Sequence, residues 1–136
     1  MKSFIQFIWL LFCTQILFSC SKSESSECPT DLACTEIFVT LTVKIQNRNN
    51  ESVFLTKTTT SIEGNSNIIT KSDWDKITAY NVLDDLSLKD LKKSGSSVTF
   101  KGFDSNNQII VNERFIIGHD CCHIVKIAGK EVIIVD

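Results

Sequence analysis

The stretch of residues 36–47 constrains the fold more than any other part of the chain. Five apolar residues alternate with mostly polar ones in it, namely Ile37, Val39, Leu41, Val43 and Ile45. Because successive side chains of a strand point to opposite faces, this period of two places all five on one face. The stretch is therefore predicted to be a β-strand.

Further extended segments follow, and polar turns separate them. The predicted strands are residues 52–62, 68–70 (a short edge strand), 78–83, 97–103, 108–117, 123–128 and 131–135. The last two flank Gly129-Lys130, which predicts a hairpin with a type II′ turn because glycine supplies the positive φ. One short helix is predicted at 87–94, with Ser87 as its cap and Gly95 as its end.

Seven or eight strands, without the alternation of strands and helices that a parallel sheet needs, predict an all-β fold. We expect an antiparallel two-sheet sandwich with one short helix. In its layout, the region of residues 28–136 resembles an immunoglobulin-like or transthyretin-like module. Removal of a leader of 19 residues from the 136 leaves 117, enough for one domain with one core.

The N-terminal residues have the layout of a cleaved signal. Lys2 precedes an apolar run at residues 4–18. As a helix, this run would rise about 22 Å, which is less than the roughly 30 Å hydrocarbon core of a bilayer. A cleaved segment therefore fits better than a permanent membrane span.

The apolar run ends in Leu17-Phe18-Ser19-Cys20. Leu17, Ser19 and Cys20 resemble the lipobox of bacterial lipoproteins. The resemblance implies a signal peptide at residues 1–19, cleavage before Cys20, and diacylglycerol on the Cys20 sulfur with acylation of its amine. The chain would then be held in a membrane by its lipid. The alternative is an ordinary secretory signal in which Cys20 has no special role.

Residues 20–27 are predicted to be a lipidated, flexible tether, because residues 21–27 are serines, acids and one lysine with no apolar side chain. Acidic residues directly after a lipidated cysteine resemble the export signal of surface lipoproteins of the Bacteroidetes kind. The resemblance implies an outer-membrane location with exposure at the cell surface. A periplasm-facing position stays open.

Four cysteines remain once Cys13 leaves with the signal and Cys20 carries lipid: Cys28, Cys34, Cys121 and Cys122. An even number in an extracytoplasmic domain predicts two disulfides. A bond between the adjacent Cys121 and Cys122 would be strained. Both remaining connectivities tie the N-terminal segment to the Cys121-Cys122 loop.

The same loop contains both histidines of the chain, His119 and His123. Two imidazoles and two thiolates are suitable ligands for tetrahedral zinc. However, adjacent cysteines of an extended segment point to opposite faces, and disulfides would consume the thiolates. We expect a structural disulfide cluster with no metal and no cofactor. The alternative is a metal- or thiol-dependent envelope protein that uses His119, Cys121, Cys122 and His123.

Two acidic groups could also bind ligands. In Asp73-Trp74-Asp75, an exposed ring beside carboxylates would suit stacking on a sugar. The alternative, which we favour because large aromatic residues are usually buried, is that Trp74 covers the end of the core. Asp84, Asp85 and Asp90 could bind calcium or cleave a glycoside, but solvated turn acids that cap the predicted helix explain them more simply.

The net charge and the motifs that are lacking reduce the number of function classes to consider. Without Lys2, the chain has 13 basic and 16 acidic residues, a net charge of −3, and no basic face for nucleic acid. Neither a phosphate-binding glycine loop nor a Gly-x-Ser-x-Gly motif occurs. We expect a non-enzymatic binding or structural module for a protein or glycan, with recognition by the loops at 73–75 and 118–123.

Overall fold

The computed structural model describes residues 28–72 and 79–136. The predictions for the signal peptide, for Cys20 with its tether, and for Asp73, Trp74 and Asp75 lie outside the described residues. Eight strands and one short 3-10 helix (Asp85–Asp90) are present in these two ranges. The strands are β1 (Thr40–Gln46), β2 (Lys57–Ile62), β3 (Ile68–Ser72), β4 (Tyr80–Asp84), β5 (Ser96–Phe103), β6 (Ile109–His119), β7 (Ile124–Ala128) and β8 (Val132–Ile134).

The strands form two sheets that pack face to face, which confirms the predicted all-β sandwich. One sheet has three strands in the order β4-β1-β8, and the other has five in the order β3-β2-β5-β6-β7. The pairings between the described strands are antiparallel except for that of β1 with β8, which is parallel. No helix in the described part of the chain is both long and apolar enough to cross a bilayer.

The core lies between the sheets and is supplied by alternate residues of each strand. Val43 and Ile45 of β1 are buried, as predicted, and pack in one cluster with Phe100 and Phe115 of the larger sheet. The prediction is wrong for the first residues of this strand, because β1 begins only at Thr40 and Ile37 is 68% exposed. The segment before Thr40 is instead fixed to the surface by disulfides.

The predicted hairpin at Gly129-Lys130 is also wrong. Gly129 does have a positive φ of 131°, but β7 pairs with β6 in the larger sheet whereas β8 pairs with β1 in the smaller one. The turn therefore passes the chain from one sheet to the other. A side chain at Gly129 would collide with the ring of Phe115, so glycine is needed here for a close approach as well as for its φ.

The helix begins earlier than predicted. Asp84 is its cap, and the Asp84 side chain accepts a hydrogen bond from the Leu86 N–H at 3.3 Å. Ser87, the predicted cap, is buried within the helix. Gly95 ends a separate turn beyond it, with a φ of 111° and a hydrogen bond from its N–H to the Lys92 carbonyl.

The strand directions define two ends of the sandwich. The disulfide end comprises residues 28–38, the start of the 3-10 helix at Asp85, and the loop 119–123 between β6 and β7. The far end comprises the turn 47–51 after β1 and the turn 104–108 between β5 and β6. Ser96 pairs with Ile117 and Phe103 with Ile109, so β5 and β6 run between these two ends.

Candidate functional site

Two disulfides join the N-terminal segment to the β6–β7 loop, as predicted. Cys28 bonds to Cys121 and Cys34 bonds to Cys122, with Cα atoms 5.5 and 5.3 Å apart. Adjacent cysteines can both face this one segment because Cys121 has a φ of 84°, in the left-handed region. That φ interrupts the extended alternation that would otherwise send the two side chains to opposite faces.

Asp120 holds the loop in shape. One of its carboxylate oxygens accepts hydrogen bonds from the backbone N–H of Cys122 at 2.9 Å and of His123 at 2.8 Å. Hydrogen bonds from these two N–H groups lower the pKa of the Asp120 carboxyl, and the bond from His123 has the larger effect. The loop is therefore a preformed turn built around one carboxylate.

A chain of three side chains connects this loop to the rest of the disulfide end. Thr35 Oγ1 lies 2.9 Å from His123 Nε2, and His123 Nδ1 lies 2.8 Å from Asp85 Oδ2. The carboxylate of Asp85 also accepts the N–H of Val39 and the N–H of Ile124, both at 2.8 Å. Three separate parts of the chain, represented by Val39, Asp85 and the adjacent residues 123 and 124, thus meet at one carboxylate.

Asp85 is a partly buried, fully bonded acid, which corrects the prediction of a solvated turn. Its side chain is only 12% exposed. Burial by itself would raise the pKa of Asp85, but the hydrogen bonds from Val39, Ile124 and His123 outweigh burial and lower it. Its neighbour Asp84 caps the helix and forms an ion pair with Lys71 at 3.3 Å, whereas Asp90 is exposed.

The sequence singled out Asp85 and His123 separately and did not connect them, and it missed Thr35 altogether. Thr35 follows Cys34 and His123 follows Cys122, so the Cys34–Cys122 bond brings the two residues together. Knowledge of the disulfide connectivity would have predicted that contact. No local pattern links either residue to Asp85.

A hydroxyl, an imidazole and a carboxylate in this order also occur in the triads of acyl-transfer enzymes. Such enzymes stabilise an oxyanion with hydrogen-bond donors, which are backbone N–H groups or polar side chains. In the loop at 120–123, the N–H groups of all four residues are already bonded: Asp120 to the His123 carbonyl, Cys121 to His119 Nδ1, and Cys122 and His123 to Asp120. None of these four N–H groups is therefore free to act as such a donor, and the three side chains link the N-terminal segment to the loop and the 3-10 helix.

The four residues of the alternative metal site, His119, Cys121, Cys122 and His123, do not lie together as one group of ligands. Within the described ranges, one group of three candidate ligands lies with its donor atoms within 4.8 Å of one another, namely Cys28, His119 and Cys121. The sulfurs of Cys28 and Cys121 are bonded to each other, so neither is a thiolate. Both ring nitrogens of His123 contact Thr35 and Asp85 instead.

The far end carries two rigid polar turns. Asn47 Oδ1 accepts the N–H groups of Asn49 and Glu51 at 2.9 and 3.0 Å. Asp104 Oδ1 accepts those of Asn106 and Gln108 at 2.9 and 2.8 Å. Each turn is thus held by a side chain that replaces a backbone acceptor. Such turns present polar groups without a large loss of conformational entropy on binding.

An aromatic side chain and a groove complete this surface. Phe54, on the segment between the turn 47–51 and β2, is 55% exposed. A groove of about 410 Å³ beside the first turn is lined by Asn47, Arg48, Asn49, Val135 and Asp136. We call the turns 47–51 and 104–108 together with Phe54 the far-end surface. The sequence analysis missed the far-end surface, because neither turn contains a motif that is associated with a specific chemistry.

Of the two loops that were predicted to take part in recognition, the structure describes only one. The loop at 118–123 is fastened by two disulfides and by Asp120, and the loop at 73–75 lies outside the described residues. Comparison of the chain with protein-family models, with curated proteins and with solved structures found no match.

Proposed function

We propose that this protein is a lipid-anchored lipoprotein of the outer membrane that presents its far-end surface to a protein or glycan partner and performs no catalysis. The observation that carries the proposal is the Cys28–Cys121 bond, which fastens the start of the domain to the disulfide end of the sandwich. The lipobox-like residues at Leu17, Ser19 and Cys20 support the anchor.

The disulfide sets the orientation of an anchored domain. Cys28 follows Cys20 by eight residues, and eight extended residues span at most about 28 Å. The disulfide end of a lipidated chain would therefore stay close to the membrane. β6 has 11 residues and spans about 37 Å, so the far-end surface would lie well away from the bilayer. Rigid scaffolds commonly carry their recognition loops at such an end.

The bonding at the disulfide end supports a non-enzymatic role. Thr35, His123 and Asp85 hold the N-terminal segment in place, and the N–H groups beside them are consumed within the loop. Exposure at the cell surface, rather than toward the periplasm, is proposed from the serine- and acid-rich residues 21–27.

The anchor is tested by mass spectrometry of the N-terminal peptide of the mature protein. We expect cleavage before Cys20 and a mass increase that corresponds to a diacylglycerol group and an amide-linked acyl chain. The Cys20→Ala variant should lose both and move from the detergent phase to the aqueous phase. An unmodified Cys20, or cleavage at another residue, would show an ordinary secreted protein.

Partner binding is tested in intact cells with a photo-cross-linking amino acid. Placed at Ser105, in the turn 104–108, it should form adducts with a protein partner. Placed at Ser66, an exposed residue of the loop between β2 and β3 on the opposite end, it should form few. Equal adducts from both positions would contradict recognition by the far end.

The predicted role of Trp74 in sugar stacking, which is separate from recognition by the far-end surface, is tested on a glycan array. The Trp74→Ala variant should bind more weakly than the parent protein and keep the same unfolding midpoint. A variant that unfolds would instead assign Trp74 to the core.

A further inference from the structure

We propose that four exposed apolar side chains at the disulfide end rest on the bilayer that holds the Cys20 lipid. These side chains, which we call the apolar patch, are Leu32, Ile37, Phe38 and Leu86. The inference rests on the proposed lipid anchor and goes beyond it. An anchor alone leaves the domain free to tumble, whereas the apolar patch would fix one end of the sandwich against the membrane.

The backbone brings the sequence neighbours of Phe38 and Leu86 together at the disulfide end. The Val39 N–H donates to Asp85 Oδ2, and the Asp85 N–H donates to the Val39 carbonyl at 3.1 Å. Phe38 precedes one member of this pair and Leu86 follows the other. Leu32 belongs to the segment between Cys28 and Cys34, which the two disulfides hold against the same loop.

Their exposure is high for large apolar residues. Leu86 is 82% exposed and Phe38 is 58% exposed. Neither residue belongs to the hydrophobic core or to the residues packed against it, and the 3-10 helix buries Ser87 rather than Leu86. Large apolar side chains that are exposed at one end of a domain commonly mark a contact with a membrane or a partner. Side chains that enter the headgroup boundary are stabilised by their removal from water.

The length and the attachment of the N-terminal segment select the membrane as the occupant. Cys28 is covalently bound at the same end as the apolar patch, and at most about 28 Å of chain separates it from Cys20. A lipid on Cys20 would therefore bring the bilayer to this end in every molecule. The effective concentration of membrane at the apolar patch would then be far above that of any freely diffusing partner.

The charges around the apolar patch have mixed signs. Asp31 and Glu36 lie beside Leu32 and Ile37, and Lys89 lies on the same 3-10 helix as Leu86; all three charged residues are exposed. Attraction to anionic lipid alone would therefore be weak. Contact should depend on the apolar side chains and persist at high salt, because salt screens exposed charges without weakening apolar contacts.

The test uses the full lipidated protein in vesicles of phosphatidylethanolamine and phosphatidylglycerol, with brominated acyl chains as the fluorescence quencher. The probe variants are Phe38→Trp and Leu86→Trp, from two different elements. The control is Phe54→Trp, because Phe54 is 55% exposed but belongs to the far-end surface. The signal of the parent protein, which contains Trp74, is subtracted from each variant.

We expect Phe38→Trp and Leu86→Trp to be blue-shifted and quenched several-fold more than Phe54→Trp, with little change at high salt. A protein that floats with the vesicles while both patch probes stay unquenched would overturn this inference and leave the anchor standing. A protein that does not float with the vesicles would overturn the anchor and this inference together. Equal quenching at Phe54 would also overturn it, because the domain would then contact the bilayer without a preferred end.

Discussion

The Asp85 carboxylate lies 2.8 Å from His123 Nδ1, although the two residues are 38 positions apart in the chain. The same carboxylate accepts the N–H groups of Val39 and Ile124. A single acid therefore joins the start of the 3-10 helix, the approach to β1 and the start of β7. The disulfides lie directly beside this contact, so covalent and hydrogen-bonded links fasten the same end of the sandwich.

Asp85 should make stability depend on acid pH. Because the pKa of Asp85 is below its ordinary value of 3.8 in the folded protein, the ionised carboxylate stabilises the fold above that value. The stability is lost as the pH falls from about 3.8 through the lower folded pKa. Unfolding by urea, followed by circular dichroism at a series of pH values, measures this dependence.

The Asp85→Asn variant isolates the contribution of this acid. At neutral pH it should lose about 1–3 kcal/mol, because an amide cannot accept all the N–H groups that face Asp85. The difference from the parent protein should shrink as the pH falls below 3.8. Asp90→Asn, on an exposed acid of the same helix, serves as the control. A difference that stays constant down to low pH would assign the loss to packing rather than to charge.

Removal of the two disulfides should be strongly non-additive. Either bond alone closes a loop of 93 or 88 residues, worth about 4–5 kcal/mol in the chain-entropy model. Once one bond is present, the second closes a ring of only about nine residues, worth about 2.6 kcal/mol. Serine replacement of one cysteine pair should therefore cost about 2–3 kcal/mol, and replacement of both pairs about 7 kcal/mol.

Denaturant unfolding of the two single-pair variants and of the four-cysteine variant measures these costs. Because the chain-entropy term depends on loop length, the two single-pair variants should be nearly equal. A cost of about 4–5 kcal/mol for one pair, which is the full value of a long loop, would mean that the bonds act independently.

Alanine at Gly129 should destabilise the protein far more than alanine at Gly64. Both glycines have a positive φ, so each substitution carries a backbone cost of about 1 kcal/mol. At Gly64 the added methyl group meets open space, whereas at Gly129 it meets the ring of Phe115. Gly129→Ala should therefore cost about 3 kcal/mol in total. Thermal unfolding of both variants is the measurement, and equal melting temperatures would contradict the close packing of Phe115.

Tyr80→Phe should cost about 2–3 kcal/mol. The buried Tyr80 hydroxyl accepts the Leu55 N–H at 2.8 Å and donates to the Val53 carbonyl at 3.1 Å. The Tyr80 hydroxyl thus holds the segment between β1 and β2 in place. Removal of this hydroxyl leaves the buried Leu55 N–H without that acceptor. Urea unfolding measures the cost. A loss below about 0.5 kcal/mol would indicate that water reaches this segment and replaces the hydroxyl.

Local patterns in the chain predicted the fold class and the presence of each strand, although β1 and β2 begin later than predicted, at Thr40 and Lys57. The alternation through Val43 and Ile45 predicted β1, and the edge position of β3 followed from the shortness of its apolar run. The even number of cysteines predicted two disulfides between the N-terminal segment and the Cys121-Cys122 loop. Each of these inferences depends on residues whose meaning is set by their immediate neighbours or by simple counting.

The partners of those elements were decided only by the tertiary structure. Gly129 marked a turn correctly, but the turn crosses between sheets because β8 finds its place beside β1. Asp85 was expected to be a solvated acid, but Val39, His123 and Ile124 surround it. The physical reason is common to both cases: a single sequence records local conformational preference directly, whereas long-range contacts depend on how all the apolar faces pack at once.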